Sequence, residues 1–338
     1  MIIAHLEGGL GNQMFEYAAA RRLAEKHLSP LKIDLSWFGS QQLRKYKLQC
    51  FNVHEEFVDP QEVEAIIGNY SVTKWLTSKI GHKLGLNRSW IDLEMQREIT
   101  AIINSRNYSL VRWWTARLKH KLGIHHSMKT LYQKGKYVRE KYQHFDPELL
   151  DAPDYIYLDG FWQSEKYFLD IEEILRQDFT LKLPQSELFE RISEVIASTC
   201  AVSLHIRRGD MANDPEANRL HGTCSLDYYD RAVQHIAKRI NQPHFFIFSD
   251  DPIWVKEHLN LSFPSTLVSY GSSLHDYEEL HLMSRCHHHI TANSSFSWWG
   301  AWLNPKPDKI VITPKKWFGD FADDHDTKDL IPDNWLRL

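Results

Sequence analysis

Four short segments carry residues whose types and spacing suit the handling of an anion. His205-Ile206-Arg207-Arg208-Gly209-Asp210 follows an apolar run, Ala201–Leu204. Arginine presents a planar fork of donors that fits a phosphate, and Gly209 permits a turn that returns Asp210 towards it. Side chains alternate along an extended strand, so Arg207 and Arg208 point to opposite sides. Gly8-Gly9-Leu10-Gly11-Asn12-Gln13-Met14 is a second such segment. Gly9, Gly11, Asn12 and Gln13 fall where free N–H groups of a helix start attract negative charge. Asn293-Ser294-Ser295 offers hydroxyls and helix-start N–H groups in the same way. Ser249-Asp250-Asp251-Pro252 follows another apolar run, Phe245–Phe248. Asp250 is assigned to a ligand and Asp251 to a helix cap ahead of Pro252. His287-His288-His289 has the look of a metal tract, but alternation puts only His287 and His289 on one side and no third ligand stands at a recognisable spacing. No metal site and no cofactor is expected.

These segments need a scaffold that ends strands beside helix starts. The chain opens strand, turn, helix, strand over Ile2–Leu6, 13–27 and Leu31–Leu35. A strand is expected over Asp154–Phe161, then a helix over Ser164–Gln177 and a hinge at Pro184. Alternation resumes with a helix over Glu187–Ser198 and strands at Ala201–Ile206, His244–Phe248, His287–Thr291 and Lys309–Thr313. Ser225 is expected to cap a helix, and another runs over Asp276–Arg285. This is α/β architecture with polar motifs at the carboxyl ends of strands, where open sheets bind ligands. Trp298, Trp299 and Trp302 read as core or interdomain packing rather than as stacking platforms.

The 338 residues suit two domains. Four unpatterned cysteines imply reduced thiols and no zinc site. The net charge of −4 argues against nucleic acid as a partner. Between Lys74 and Lys141, however, fifteen Lys/Arg face four Asp/Glu, a local charge of +11. That stretch reads as a helical insertion, about 71–146, whose charge serves either as a solvated face or as a seat on an anionic inner membrane surface. The opening MIIAHLEGG reads as a strand rather than a signal peptide. A cytoplasmic protein is expected, either free or, if the basic stretch seats on the membrane, peripheral on its inner face. Gly9-x-Gly11 with Asp34 near the end of the second strand also fits a nucleotide-cofactor oxidoreductase, although Met14 occupies the third glycine position. Twelve tryptophans would suit a non-catalytic carbohydrate-binding protein.

The blocks GGLGNQMFEYAAARRLA (8–24), HIRRGD (205–210), FSDD (248–251) and HHHITANSSFSWWGAWLN (287–304) together resemble glycosyltransferase family 11, the α-1,2-fucosyltransferases. DGFWQSEKYF (159–168) and IPDNW (331–335) are similar to further family features. The resemblance implies a GT-B-like fold of two Rossmann-like domains facing across a cleft. Residues 1–180 would form the acceptor-side domain carrying the basic insertion, 181–320 the donor domain, and 321–338 a tail. It implies inverting transfer of L-fucose from GDP-β-L-fucose to the 2-hydroxyl of a terminal β-galactoside, on an oligosaccharide or a lipid-linked glycan, without a metal; a fucosyltransferase of other linkage or acceptor is the alternative. Arg207 would then hold the β-phosphate, His205 and Asp250 would bind the guanosine part, and Ser294 and Ser295 would lie near the phosphates. Arg208 and Asn293 are grouped with them on the donor side. Asp210 and Glu7 are the candidate bases for the acceptor proton.

Overall fold

The computed structural model describes residues 1–40, 44–67, 137–209, 212, 214–271, 273–319 and 327–338. Two parallel sheets organise the chain. The first has the order β2-β1-β4-β3, from β1 (Ile2–His5), β2 (Leu31–Asp34), β3 (Tyr137–Arg139) and β4 (Ile156–Asp159). The second has the order β10-β9-β8-β5-β6-β7. It is built from β5 (Cys200–Ile206), β6 (Pro243–Ser249), β7 (Ser265–Leu267), β8 (His288–Ile290), β9 (Val311–Thr313) and β10 (Leu336–Arg337). All these strand pairs run parallel. Helices flank both sheets, as the near-continuous apolar runs of the central strands require. They include α1 (Leu10–His27), α2 (Pro60–Ile67), α3 (Glu172–Asp178), α4 (Glu187–Ala197), α5 (Pro215–His221), α6 (Leu226–Ala237), α7 (Pro252–His258), α8 (Asp276–Arg285) and α9 (Ser295–Leu303). This is the expected pair of Rossmann-like parts in a GT-B-like fold.

Ser225 caps α6 by accepting from Tyr228 N at 3.2 Å, as its type and position predict. Other elements differ from expectation. The helix foreseen from Ser164 breaks into 3₁₀ turns at Glu165–Tyr167 and Leu169–Ile171 before α3 begins. Ser164 caps the first of these turns by accepting from Lys166 N. The basic stretch falls largely outside the described residues, but its end, Tyr137–Arg139, is the edge strand β3 rather than helix. The last residues, read as a tail, return to the sheet. Leu336 and Arg337 pair with β9, and Leu330, Ile331 and Trp335 are buried. Among the described residues no helix is long and apolar enough to cross a membrane.

One core joins the two halves. Phe15 of α1 packs on Trp298 and Trp299 of α9 at 4.5 and 4.9 Å between ring centroids. Phe168 stacks on Trp299 at 5.4 Å. The three indole N–H groups of α9 find acceptors: Trp298 donates to Leu330 O, Trp299 to Gly11 O and Trp302 to Glu165 Oε2. The tryptophans are therefore packing between halves, and α9 is fixed against α1.

Candidate functional site

In the second sheet, β5 leads on to β6 on one side and β8 to β9 on the other, so β5 and β8 flank a topological switch point. The end of β5 and the turn after it hold His205–Gly209, and the loop from β8 into α9 holds Asn293 and Ser294 ahead of Ser295. Arg207 pairs through Nη1 with Asp250 Oδ2 at 2.5 Å, and Arg208 N donates to Asp250 Oδ1 at 2.8 Å. Asp250, at the end of β6, thus holds the arginine turn from behind. A Cβ on Gly209 would lie 2.3 Å from Asp250 Oδ2, so only glycine admits that carboxylate. Asp251 caps α7 by accepting from Trp254 N at 3.2 Å. Arg208 lies over the Trp254 ring, 3.7 Å from its centroid, with Nε 3.7 Å from Asp251 Oδ2. The two arginines therefore have different partners, and Trp254 is a contributor that the sequence motifs did not single out.

His205 is buried against Phe296, and burial together with the Arg207 charge pushes it down to about 3. It is a neutral imidazole at ordinary pH. Its Nδ1 has no hydrogen-bond partner, nor do the hydroxyls of Thr291, just beyond β8, and Thr313, the last residue of β9. Orphaned polar atoms cost about 1–3 kcal/mol each when buried, and here they gather at the carboxyl edge of one sheet. Glu279 of α8 stands near this edge, pushed up to about 7 by burial and by Asp276 and Asp250. Ser294 precedes α9 without capping it through its side chain. Asn293 instead ties loops together, donating to His221 O, Gly222 O and Trp317 O.

The β1–α1 turn meets this site. Ser295 Oγ donates to Asn12 Oδ1 at 2.7 Å, and Gln163 Nε2 donates to the same oxygen at 3.0 Å. Gly11 lies directly on the Ser295–Phe296 backbone. Gln13 is fully buried and committed to the chain, donating to Gly8 O and Lys45 O and accepting from Lys47 N. Gly9 caps α1 in extended conformation, and the residue needing positive φ is Gly8, at 77°. The structure thus brings His205, Arg207, Arg208, Asp250, Ser294, Ser295, Gly11 and Asn12 to neighbouring turns. It sets Gln13 and Asn293 in structural roles. Asp210 lies outside the described residues.

Glu7 N donates to Glu16 Oε2 at 2.9 Å, while Glu16 Oε1 is buried without a partner. Burial, then the nearby Glu7, pushes Glu16 well above its ordinary 4.5. The folded chain keeps this proton where the unfolded chain has lost it. Stability therefore falls as pH rises from about 4.5 towards the folded value. Glu16→Gln, isosteric with the neutral acid, should remove that loss. Its melting temperature should gain on that of the native protein as the pH rises above about 4.5. Parallel melting curves for the two proteins would show that Glu16 titrates normally.

The histidine tract is structural. His289 bonds Ser203 Oγ and Asn304 Nδ2, His288 Nδ1 accepts from Ile310 N, and His287 meets Asp308. Among the described residues no group of three His, Cys, Asp or Glu could hold a metal ion. Asp34, the candidate ribose ligand, instead accepts from Tyr157 OH at 2.6 Å and Ser36 N at 2.8 Å.

Comparison with known proteins identifies the family. The profile of glycosyl transferase family 11 matches residues 1–337. An α-1,2-colitosyltransferase from Escherichia coli is 32% identical over 100% of this chain and 99% of its own. The O-antigen biosynthesis glycosyltransferase WbnK, also from Escherichia coli, is 30% identical over 98% of this chain and 99% of its own. A galactoside 2-α-L-fucosyltransferase, SEC1, from Bos taurus is 25% identical over 51% of this chain and 47% of its own. These matches displace the oxidoreductase and carbohydrate-binding alternatives. The chain belongs to glycosyltransferase family 11 and is a glycosyltransferase.

Proposed function

We propose that the protein transfers L-fucose from GDP-β-L-fucose, with inversion, to the 2-hydroxyl of a terminal β-galactoside in a glycan such as an O-antigen repeat unit. The observation that carries this reading is the Arg207 fork, braced by Asp250 at 2.5 Å, at a switch point shared with the start of α9. Such a fork and adjacent helix-start N–H groups suit a diphosphate. The galactoside fucosyltransferase and O-antigen relatives support the acceptor and the linkage.

In this mechanism the acceptor oxygen attacks the anomeric carbon as the bond to the β-phosphate oxygen breaks. The sugar passes through an oxocarbenium-like state and GDP departs with the electron pair. Arg207 and the α9 N–H groups stabilise the charge that grows on the leaving phosphate. The acceptor proton passes to a carboxylate, for which Glu7 and Asp210 are the candidates. The positive charge that a metal would supply comes from the guanidinium, so no metal is required.

A second reading, colitosyl transfer, is favoured by the full-length relative that is 32% identical. The test incubates the protein with GDP-fucose, and in parallel a colitose nucleotide, on a panel of β-galactosides with and without EDTA, followed by linkage analysis. An α-1,2-fucosylated product that survives EDTA is expected. Colitose product alone would transfer the assignment to the second reading. Loss with EDTA and rescue by manganese would overturn metal independence.

A further inference from the structure

The carboxyl end of the first sheet carries a polar row that takes no part in the Arg207 turn. Register aligns Asp34 with His5, and Arg139 with Asp159, so each of the four strands places one titratable side chain at the same edge. They share a face because strand side chains alternate. His5 Nδ1 stands 3.5 Å from Asp159 Oδ1, and Arg139 Nε stands 3.5 Å from Asp159 Oδ2. One row further back on this face, Tyr157 donates to Asp34 and Tyr137 donates to Asp159. Tyr137 and Tyr157 stack at 5.7 Å, and Tyr157 and His5 at 5.9 Å.

Folding does not call for such a row. A parallel sheet normally closes both faces with apolar side chains, and burying charge is costly. Further back the same face is ordinary, with Ile3 packed on Ile66 and Tyr157. The polar edge is also partly open. The side chain of Asp159 is 20% exposed, that of Arg139 is 37% exposed, and Tyr137 is 36% exposed. A separate observation marks the same end of the sheet. Glu16 is 2% exposed with Oε1 unpartnered, in the electrostatic field of Glu7, Asp159 and Glu140.

The groups of this row match a sugar in kind. A carboxylate accepts from hydroxyls, a guanidinium donates to them, and an exposed tyrosine ring covers the C–H face. We infer that this row is the acceptor-recognition element, with Asp159 and Arg139 reading adjacent hydroxyls of the acceptor sugar and His5 and Tyr137 positioning Asp159. The inference rests on the glycosyltransfer reading above, which supplies an acceptor. Burial pushes Asp159 up, but His5, Arg139 and Tyr137 outweigh it and hold it down at about 2. It therefore accepts hydrogen bonds throughout the working pH range.

The test measures Michaelis constants for donor and acceptor separately in the native enzyme and in Asp159→Asn. A set of monodeoxy β-galactosides serves as the probe. Losing a hydrogen bond to a charged group should raise the acceptor KM about ten- to a hundred-fold. The donor KM should stay within about two-fold. One monodeoxy acceptor should be penalised in the native enzyme and not in Asp159→Asn. An unchanged acceptor KM with unchanged deoxy penalties would overturn the inference. Should Asp159→Asn fail to fold, Tyr137→Phe decides on the same readouts, because it alters only one partner of Asp159. A shifted acceptor KM supports the row, and an unshifted one overturns it. If the native enzyme prefers another acceptor sugar, the comparison is run on that sugar. The galactoside assignment then falls, while the row stands or falls on the Asp159→Asn shift.

Discussion

Arg207→Lys should abolish most turnover while leaving the protein folded. The guanidinium pairs with Asp250 through Nη1, and its planar five-donor fork is a shape that can address two oxygens in one plane. A lysine ammonium in the same place is a single point. It would have to choose between Asp250 and a phosphate oxygen, and it cannot meet two oxygens in a plane. Charge on the leaving diphosphate grows only as the glycosidic bond to it breaks, so the lost contact is a transition-state contact. Losses of this kind cost about 3–4 kcal/mol, or roughly a hundred- to a thousand-fold in rate. Arg208→Lys should suffer less. Its guanidinium lies over Trp254, a contact that an ammonium partly retains. Kinetics of both variants at saturating acceptor, with circular dichroism to confirm folding, decide the matter. Near-normal turnover in Arg207→Lys beside a crippled Arg208→Lys would exchange the two roles.

The strand-end motifs were legible because each combines a local signal with an element boundary. An apolar run ending in Arg207-Arg208-Gly209, or a serine pair opening a helix, is visible without tertiary structure. Asp250 shows the limit. Its place after β6 is readable, but its engagement by Arg207 depends on β5 and β6 lying side by side. Gln13 and Asn293 looked like ligand amides because the sequence cannot show which backbone groups lack partners. Gln13 serves residues 45 and 47, and Asn293 serves residues 221, 222 and 317. The Asp34–His5–Asp159–Arg139 row was invisible for the same reason. Its members come from four separate strands, and only register aligns them. His5 and Asp159 could have been noticed singly, as polar residues inside or ending an apolar strand. Edge strands such as β3 and β10 are two or three residues long, too short for periodicity to reveal.

Of two glycines in one turn, only Gly11 should respond strongly to an added methyl group. A Cβ on Gly11 would lie 2.5 Å from Ser295 C, 2.6 Å from Phe296 N and 2.7 Å from Ser295 O. All three are backbone atoms at the start of α9, so no side chain can swing aside. Relief requires one of two movements. The halves could separate, but Trp299 is bonded to Gly11 O at 3.0 Å and packed on Phe15, so separation opens the shared core. Alternatively the start of α9 could shift, which displaces the N–H groups proposed to face the donor and breaks the 2.7 Å bond from Ser295 to Asn12. Overpacking of this kind costs about 1–3 kcal/mol in stability. A displacement of about 1 Å at a reacting geometry costs roughly a hundred-fold in rate. Gly11→Ala should therefore melt lower and turn over roughly a hundred-fold more slowly. A Cβ on Gly9 meets only Arg44 Nη1, at 3.9 Å, and φ there is −85°, which any residue adopts. Gly9→Ala should keep its melting temperature within a few degrees and most of its rate, the change being about 1 kcal/mol or less. Melting curves and turnover of the two variants, side by side, test the contrast. Equal behaviour would mean that the Gly11–Ser295 contact does not set the position of α9.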